Sequence, residues 1–193
     1  MLKDNKCQNR FKTKKIIMKL HLGCGKKYIE GFVHVDLLDF PHIDYQLPID
    51  NLSFAEDCSV ELIYAAHVLE HTGRVEFKNV LKEWYRVLKP GGILRLAVPD
   101  FEACIKHYQK NHRLEAILGL LIGGQKDKYD YHKMIFDEQF LKDTLIGIGF
   151  KSVSRYNWKE TSHSNIDDYS QAYLPHMEIE SGQLMSLNLE AVK

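Results

Sequence analysis

A chain of 193 residues is long enough for one domain with a core of its own and a short appendage. Lys+Arg and Asp+Glu number 26 each, so the formal net charge is zero, which excludes a protein whose main task is coating nucleic acid. Hydrophobic residues at 45 % and charged residues at 27 % are those of an ordinary globular chain.

Cys7, Cys24, Cys58 and Cys104 show no C-x-x-C spacing, which argues against a structural zinc site and for free thiols in a reducing compartment. No apolar run approaches the ~18 residues that span a membrane, and Met1 to Lys15 has no signal-peptide core. The expected location is the cytoplasm.

Residues 1–15 carry Lys3, Lys6, Arg10, Lys12, Lys14 and Lys15 and read as a basic, solvated arm. From residue 16 to 193 a single domain is expected. Ile16–Leu22 reads as a buried strand ending in Gly23-Cys24-Gly25, and Phe32–Asp36 as a second strand ending at an acid. Ile43–Tyr45 suggests a short third strand and Val60–Ala66 a fourth. Phe77, Val80, Leu81, Trp84 and Leu88 form one apolar stripe at helical spacing. Pro90-Gly91-Gly92 stops that helix, and Ile93–Val98 forms a fifth strand closed by Pro99-Asp100.

Phe101 to Ile122 reads as helical with a break near Asn111. Asp137 is a good N-cap for a helix carrying Phe140, Leu141 and Leu145. In the last segment Met185, Leu187, Leu189 and Ala191 alternate with Ser186, Asn188 and Glu190, which predicts a strand in an antiparallel hairpin with Lys151–Tyr156. Strands interleaved with helices predict an α/β fold, a Rossmann-like three-layer sandwich around a mostly parallel seven-stranded sheet. The 26 residues from Asn157 to Gly182 are too long for a simple connection and too aromatic for plain disorder, so they read as a functional loop.

In open parallel sheets ligands bind outside the carboxyl ends of the strands. Glycines in the first turn let the backbone approach a ligand closely. A carboxylate at the end of the next strand, Asp36, accepts from both hydroxyls of a ribose. Together these point to a cofactor containing adenosine.

Further segments follow in order: Leu20-His21-Leu22-Gly23-Cys24-Gly25, Asp36, Tyr64-Ala65-Ala66-His67-Val68-Leu69-Glu70-His71, Arg86-Val87-Leu88-Lys89-Pro90-Gly91-Gly92 and Val98-Pro99-Asp100. This pattern resembles the class I S-adenosylmethionine-dependent methyltransferases, in particular small bacterial members associated with sugar and surface-polysaccharide gene clusters. Residues 16–100 carry the resemblance strongly and would be the cofactor-binding half; residues 101–193 would choose the acceptor.

The resemblance implies S-adenosyl-L-methionine as cofactor and S-adenosyl-L-homocysteine as product. Gly23, Cys24 and Gly25 would hold the methionine portion, with His21 at the position of a usual acid. Asp36 would hold the ribose and Leu37 would lie against the adenine. Asp50, ahead of Leu52, would meet the adenine amino group, with Asp44 as its rival. His67 would flank the cofactor. A third loop glycine is missing: Lys26-Lys27 follow Gly25, and Lys26 is a candidate for the methionine carboxyl.

Imidazole titrates near neutral pH, so His71, His67 and His132 are candidate general bases for a hydroxyl acceptor. Asp100, Tyr131, His132, Trp158 and His163 are candidate acceptor contacts, because aromatic faces pack on sugars and rings. Asp100 also reads as an N-cap. The expected reaction is methyl transfer to O or N of a small molecule, such as a sugar precursor, with no nucleic-acid or membrane partner and a homodimer as a candidate assembly.

Three other functions share parts of the pattern. A non-catalytic cofactor-binding subunit would bind without turnover. A nicotinamide-dependent oxidoreductase would want the full G-x-G-x-x-G, and Tyr28 stands at the third glycine. His67-Val68-Leu69-Glu70-His71 also matches the H-x-x-E-H pattern of zinc hydrolases, which needs a helix to face two histidines on one metal. Here it follows a strand and is cut off by Thr72-Gly73, so no metal is assigned from the sequence.

Overall fold

The computed structural model describes residues 18–176 and 178–193. The expected basic arm, Cys7 and the first two residues of the expected first strand lie outside the described residues.

Strand β1 (Met18–Leu22) leads through the glycine turn to β2 (Val33–Asp36) and β3 (Tyr45–Gln46). Between β1 and β2 the chain makes turns and no helix. His34 holds that short link: its Nε2 accepts from Ile29 N at 2.9 Å, and Tyr28 stacks on its ring at 4.9 Å. The chain then crosses to β4 (Val60–Ala66).

Helix α1 (Phe77–Val87) buries Phe77, Val80, Leu81, Trp84 and Val87, the predicted stripe with Val87 in place of Leu88. It ends because Pro90 cannot continue it, and Leu88 is already extended. Strand β5 (Leu88–Pro99) therefore starts earlier than Ile93 and contains Pro90-Gly91-Gly92. Gly92 fits there because a Cβ would meet Lys89 O at 2.8 Å and Val60 O at 3.1 Å.

Helices α2 (Phe101–Asn111), α3 (Glu115–Ile122) and α4 (Glu138–Ile148) follow. The break at Asn111 is a left-handed residue, His112 (φ 51°). Strand β6 (Ser152–Arg155), a small hairpin of β7 (Tyr173–Leu174) and β8 (Gln183–Leu184), and β9 (Ser186–Val192) complete the chain.

The main sheet has the order β3-β2-β1-β4-β5-β9-β6. The first five strands are parallel; β9 runs antiparallel between β5 and β6, as the alternating last segment predicts. Strand order reverses between β1 and β4, so the crevice at their carboxyl ends is the expected ligand position.

One sheet face is apolar. Ile63, Ala65, Leu94, Leu96, Leu187 and Leu189 pack with Trp84 of α1 and Leu141 and Leu145 of α4 in one core. On the other face Tyr64, Arg95, Ser186, Asn188 and Glu190 meet the segment after Tyr156, which contains the short 3-10 turns Trp158–Glu160 and Tyr169–Gln171. The sheet's second cover over β5 and β9 is thus a loop fixed by polar bonds. Tyr64 donates to Asp168 Oδ2 at 2.6 Å, Asn188 donates to Ser170 O at 2.9 Å, and Gln171 donates to Ser164 O and Ile166 O. Each bond satisfies a polar group that burial would otherwise penalise.

A second, smaller cluster joins Ala103 and Cys104 of α2, Ile117 of α3 and Met185. Cys24 and Cys104 are buried free thiols, whereas Cys58 is disulfide-bonded, so the free-thiol expectation fails there. Among the described residues no helix is long and apolar enough to cross a membrane.

Candidate functional site

The turn after β1 is built on two left-handed glycines. Gly23 has φ 60° and Gly25 φ 53°. A Cβ on Gly23 would lie 2.2 Å from Val68 Cγ2, so the residue after His67 packs directly on the turn. Around a Cβ on Gly25 nothing lies within 4 Å, so the turn is open on that side. Gly25 N donates to Asp36 Oδ2 at 2.7 Å, and Leu38 N donates to Asp36 Oδ1 at 2.8 Å. A carboxylate has about four acceptor positions. Two are taken by these amides, which leaves two, the number a ribose diol requires. Burial, and then the Asp36 charge, push the Cys24 thiol up to about 12, so it is inert as a nucleophile.

A cavity of about 690 Å³ opens over the turn, within the range of small-molecule sites. Gly23, Gly25, Lys26 and Lys27 form one wall and α3 contributes Ala116, Gly119 and Leu120 opposite. The long loop supplies Asp167, Asp168, Tyr169 and Gln171. Lys27 and Asp167 approach to 3.8 Å, linking the glycine turn to that loop at an exposed position.

His67, His71 and His132 line the same cavity. His67 ends β4 with φ 50°, a conformation that costs a non-glycine residue roughly 1–2 kcal/mol. Its N donates to Ala97 O at 2.9 Å, which extends the sheet and holds the strained turn. Its Nε2 lies 3.0 Å from Ser186 Oγ and its Nδ1 3.4 Å from Glu70 Oε1. Burial, with His132 and His71 adding to it, pushes His67 down to about 3, while burial pushes Glu70 up to about 8. His71 Nδ1 lies 3.1 Å from Tyr131 O and His132 Nδ1 2.9 Å from Leu120 O. Their rings stand 4.9 Å apart, nearly perpendicular.

The other predicted residues lie elsewhere. His21 lines the cavity, fully buried among Phe32, His34 and Tyr64, with no partner for its Nδ1. Asp36 stands behind Gly25; Leu37 and Asp50 are exposed and are not among the cavity walls. Asp44 accepts from His34 N at 2.8 Å, so it braces β2. Leu52 is corrected: its side chain is wholly in the core, and its N and O bind Glu83 and Arg86.

Among the acceptor candidates only His132 reaches the cavity. Asp100 caps α2 by accepting from Ala103 N, and pairs with Arg155 at 3.3 Å. Tyr131 points outward and contributes its carbonyl to His71. Trp158 donates to Tyr173 OH within the loop's own packing. His163 is wedged between Tyr64 and Arg95, which donates to it at 3.1 Å. These four organise the walls without forming them. Sequence reasoning missed Asp167, Asp168 and Gln171, although the length and aromatic content of their loop had marked it as functional.

Residues 25–96 match the family model described as a methyltransferase domain. A ubiquinone/menaquinone biosynthesis C-methyltransferase UbiE of Geotalea daltonii is 33 % identical over 121 residues, 57 % of this chain and 48 % of that one. The chain thus spans about half the length of that curated relative. A SAM-dependent methyltransferase of Thermotoga maritima shares the fold with a TM-score of 0.56 at 17 % identity, over 91 % of this chain and 82 % of that one. The 1,6-didemethyltoxoflavin-N1-methyltransferase of Burkholderia thailandensis, solved with S-adenosylhomocysteine bound, does so with 0.55 at 13 % identity, over 91 % and 70 %. The resemblance to a methyltransferase domain and the α/β Rossmann-like fold are borne out.

Proposed function

We propose that this chain is a class I S-adenosylmethionine-dependent methyltransferase that moves the methyl group to a small molecule held between the glycine turn and the imidazoles of His67, His71 and His132. The observation that carries the reading is the single cavity joining Gly23 and Gly25 to those three rings. Lys26 and Lys27, on the same wall, suit the carboxylate of the methionine portion. Asp36, with two acceptor positions left, suits the ribose.

When bound, the cofactor would supply an electrophilic sulfonium methyl for direct transfer. The chain's work is then to align the acceptor and exclude water. His71 and His132 each turn Nδ1 to a backbone carbonyl, which leaves Nε2 to accept a proton from an acceptor O–H or N–H. Burial holds both rings below the usual histidine value, so the neutral, accepting form prevails at pH 7.

Transfer to O or N is the reading the imidazoles favour, with a sugar-like or other small metabolite as acceptor. Transfer to carbon is the second reading, favoured by the likeness to UbiE, a C-methyltransferase. A nicotinamide cofactor fits poorly. The glycine turn runs into turns, so no helix N-terminus waits for a diphosphate.

The test is transfer of a labelled methyl group to a panel of hydroxyl, amine and activated-carbon acceptors, with His71→Ala and His132→Ala beside the wild type. Labelled product with the wild type and a large loss in both variants, at unchanged S-adenosylhomocysteine affinity, supports the reading. Cofactor binding with no turnover on any acceptor favours a non-catalytic subunit.

A further inference from the structure

We infer that Glu70, His71 and His132 form a binding site for a first-row transition-metal dication, of which Zn²⁺ is the type, at the edge of the cavity. One ligand atom from each residue lies within 4.8 Å of the other two, and His132 Nε2 stands 3.9 Å from Glu70 Oε1. Two imidazoles and one carboxylate with an open side are a common donor set for such ions.

Hydrogen bonds already set the tautomer that suits ligation through Nε2. A carbonyl only accepts, so the contacts of His71 Nδ1 with Tyr131 O and of His132 Nδ1 with Leu120 O fix the ring proton on Nδ1. Each Nε2 then carries its lone pair, held by an outer hydrogen bond of the kind that accompanies metal-bound histidine. Both rings also line the cavity, so an ion between them would keep a position open to a small molecule.

Independent support comes from the Glu70 carboxylate. It is wholly buried, and neither oxygen has a hydrogen-bond partner. Without a partner its charged form is costly, so with no ion bound the group is held as the neutral acid, and a cation is the missing counter-charge. His67 does not supply the missing donor. Asn188 Nδ2 donates to Ser170 O, so Asn188 Oδ1 accepts from Ser186 Oγ at 2.9 Å. The Ser186 hydroxyl proton is thereby committed, and His67 Nε2–H must donate to Ser186 Oγ. His67 Nδ1 then turns a lone pair, not a proton, toward Glu70.

Bonds of ~2.0–2.1 Å to a tetrahedral ion place ligand atoms about 3.4 Å apart, so the widest separation must close by about 1.4 Å, within reach of imidazole rotation. The site differs from the H-x-x-E-H pattern of zinc hydrolases. His67 is not among the ligands, and His132, 62 positions beyond Glu70, takes its place. Metal binding does not depend on the proposed methyl transfer. Its use there does: with both Nε2 lone pairs on the ion, the ion would take over from the two imidazoles as the activating group, holding an acceptor oxygen or nitrogen and easing loss of its proton to solvent.

The test uses the full chain, stripped with chelator and desalted. Co²⁺ is titrated and followed by its visible absorption, then Zn²⁺ by competition and calorimetry, with S-adenosylhomocysteine binding measured on the same samples. The expected result is one Co²⁺ per chain, displaced by one Zn²⁺, with affinity lowered at least ~100-fold in Glu70→Gln and His132→Ala. His71→Ala gives the same loss should either of the others fold poorly by circular dichroism. Absence of stoichiometric binding, or binding that survives these substitutions, overturns the site. A chain that binds no metal but still binds S-adenosylhomocysteine overturns this inference alone and leaves the proposed function standing.

Discussion

Asp36 Oδ2 lies 2.7 Å from Gly25 N, so the acid that ends β2 closes the glycine turn that ends β1. Its other oxygen holds Leu38 N at 2.8 Å. The residue assigned to the ribose is therefore also the clamp that keeps the turn in its left-handed shape. Loss of Asp36 should weaken the cofactor in two ways. Asp36→Ala is expected to lower S-adenosylhomocysteine affinity ~10–100-fold, since hydrogen bonds to a charged group contribute about 1.5–3 kcal/mol. Asp100→Ala removes a helix cap away from the cavity. It should cost about 1 kcal/mol of stability and leave affinity within about twofold. Calorimetry and urea melts separate the two; equal affinity losses would count against the ribose role.

The two turn glycines should respond unequally to alanine. Both need positive φ, which costs alanine ~1–2 kcal/mol. Gly25→Ala has open space for its Cβ and should cost little more than that. Gly23→Ala drives its Cβ into Val68 and should be clearly worse. The double variant Gly23→Ala, Val68→Ala should recover part of the difference. Urea denaturation of the four proteins measures this, and equal costs at the two positions would refute the close approach to Val68.

His21 sets a pH dependence. Burial first, then the neighbouring His34, His163 and His42, pushes it down to about 3 from the ordinary 6.5. The folded chain thus holds His21 neutral where the unfolded chain protonates it. Its contribution is complete above pH 6.5 and is lost as pH falls from there toward about 3, at up to ~1.4 kcal/mol per pH unit. His163, held down to about 4 by burial and Arg95, acts in the same direction. His21→Phe, among aromatic neighbours, should flatten the acid slope in urea melts between pH 6.5 and 4. An unchanged slope would show that His21 protonates freely in the folded state.

Gln171 should be a principal anchor of the long loop, beside the bonds of Tyr64 to Asp168 and of Asn188 to Ser170. Gln171 Nε2 donates to both Ser164 O and Ile166 O. Gln171→Ala removes two bonds of about 1 kcal/mol each. Cleavage within residues 157–171 under limited proteolysis should then accelerate at least fivefold, and acceptor KM should rise more than kcat falls. Proteolysis at the wild-type rate would show that the Asp168 and Ser170 bonds hold the loop without Gln171.

Much of this was legible in the chain because local signals and tertiary needs agree. Gly23 and Gly25 at the end of an apolar strand, Asp36 at the end of the next, the α1 stripe and the alternation of Ser186 to Ala191 each follow from one periodicity and one burial demand. The loop after Tyr156 was legible only as too long and too aromatic to be idle. Its register over Tyr64 and Asn188 depends on side-chain bonds between residues up to 104 apart. The same distance hid the partnership of His132 with Glu70 and His71. Leu52 misled because a position in a motif says nothing of which way the side chain turns; the core takes it. Asp100, Trp158 and His163 share that lesson, since a polar or aromatic residue near a site often builds its frame.

The central claim is that the turn from Gly23 to Gly25 and Asp36 binds S-adenosylmethionine. Calorimetric titration of the full chain with S-adenosylhomocysteine tests it most directly, with NAD as the comparison. One equivalent bound with Kd below about 100 µM, and no heat from NAD, is the predicted result. No heat from S-adenosylhomocysteine, or binding of NAD in its place, would contradict the account.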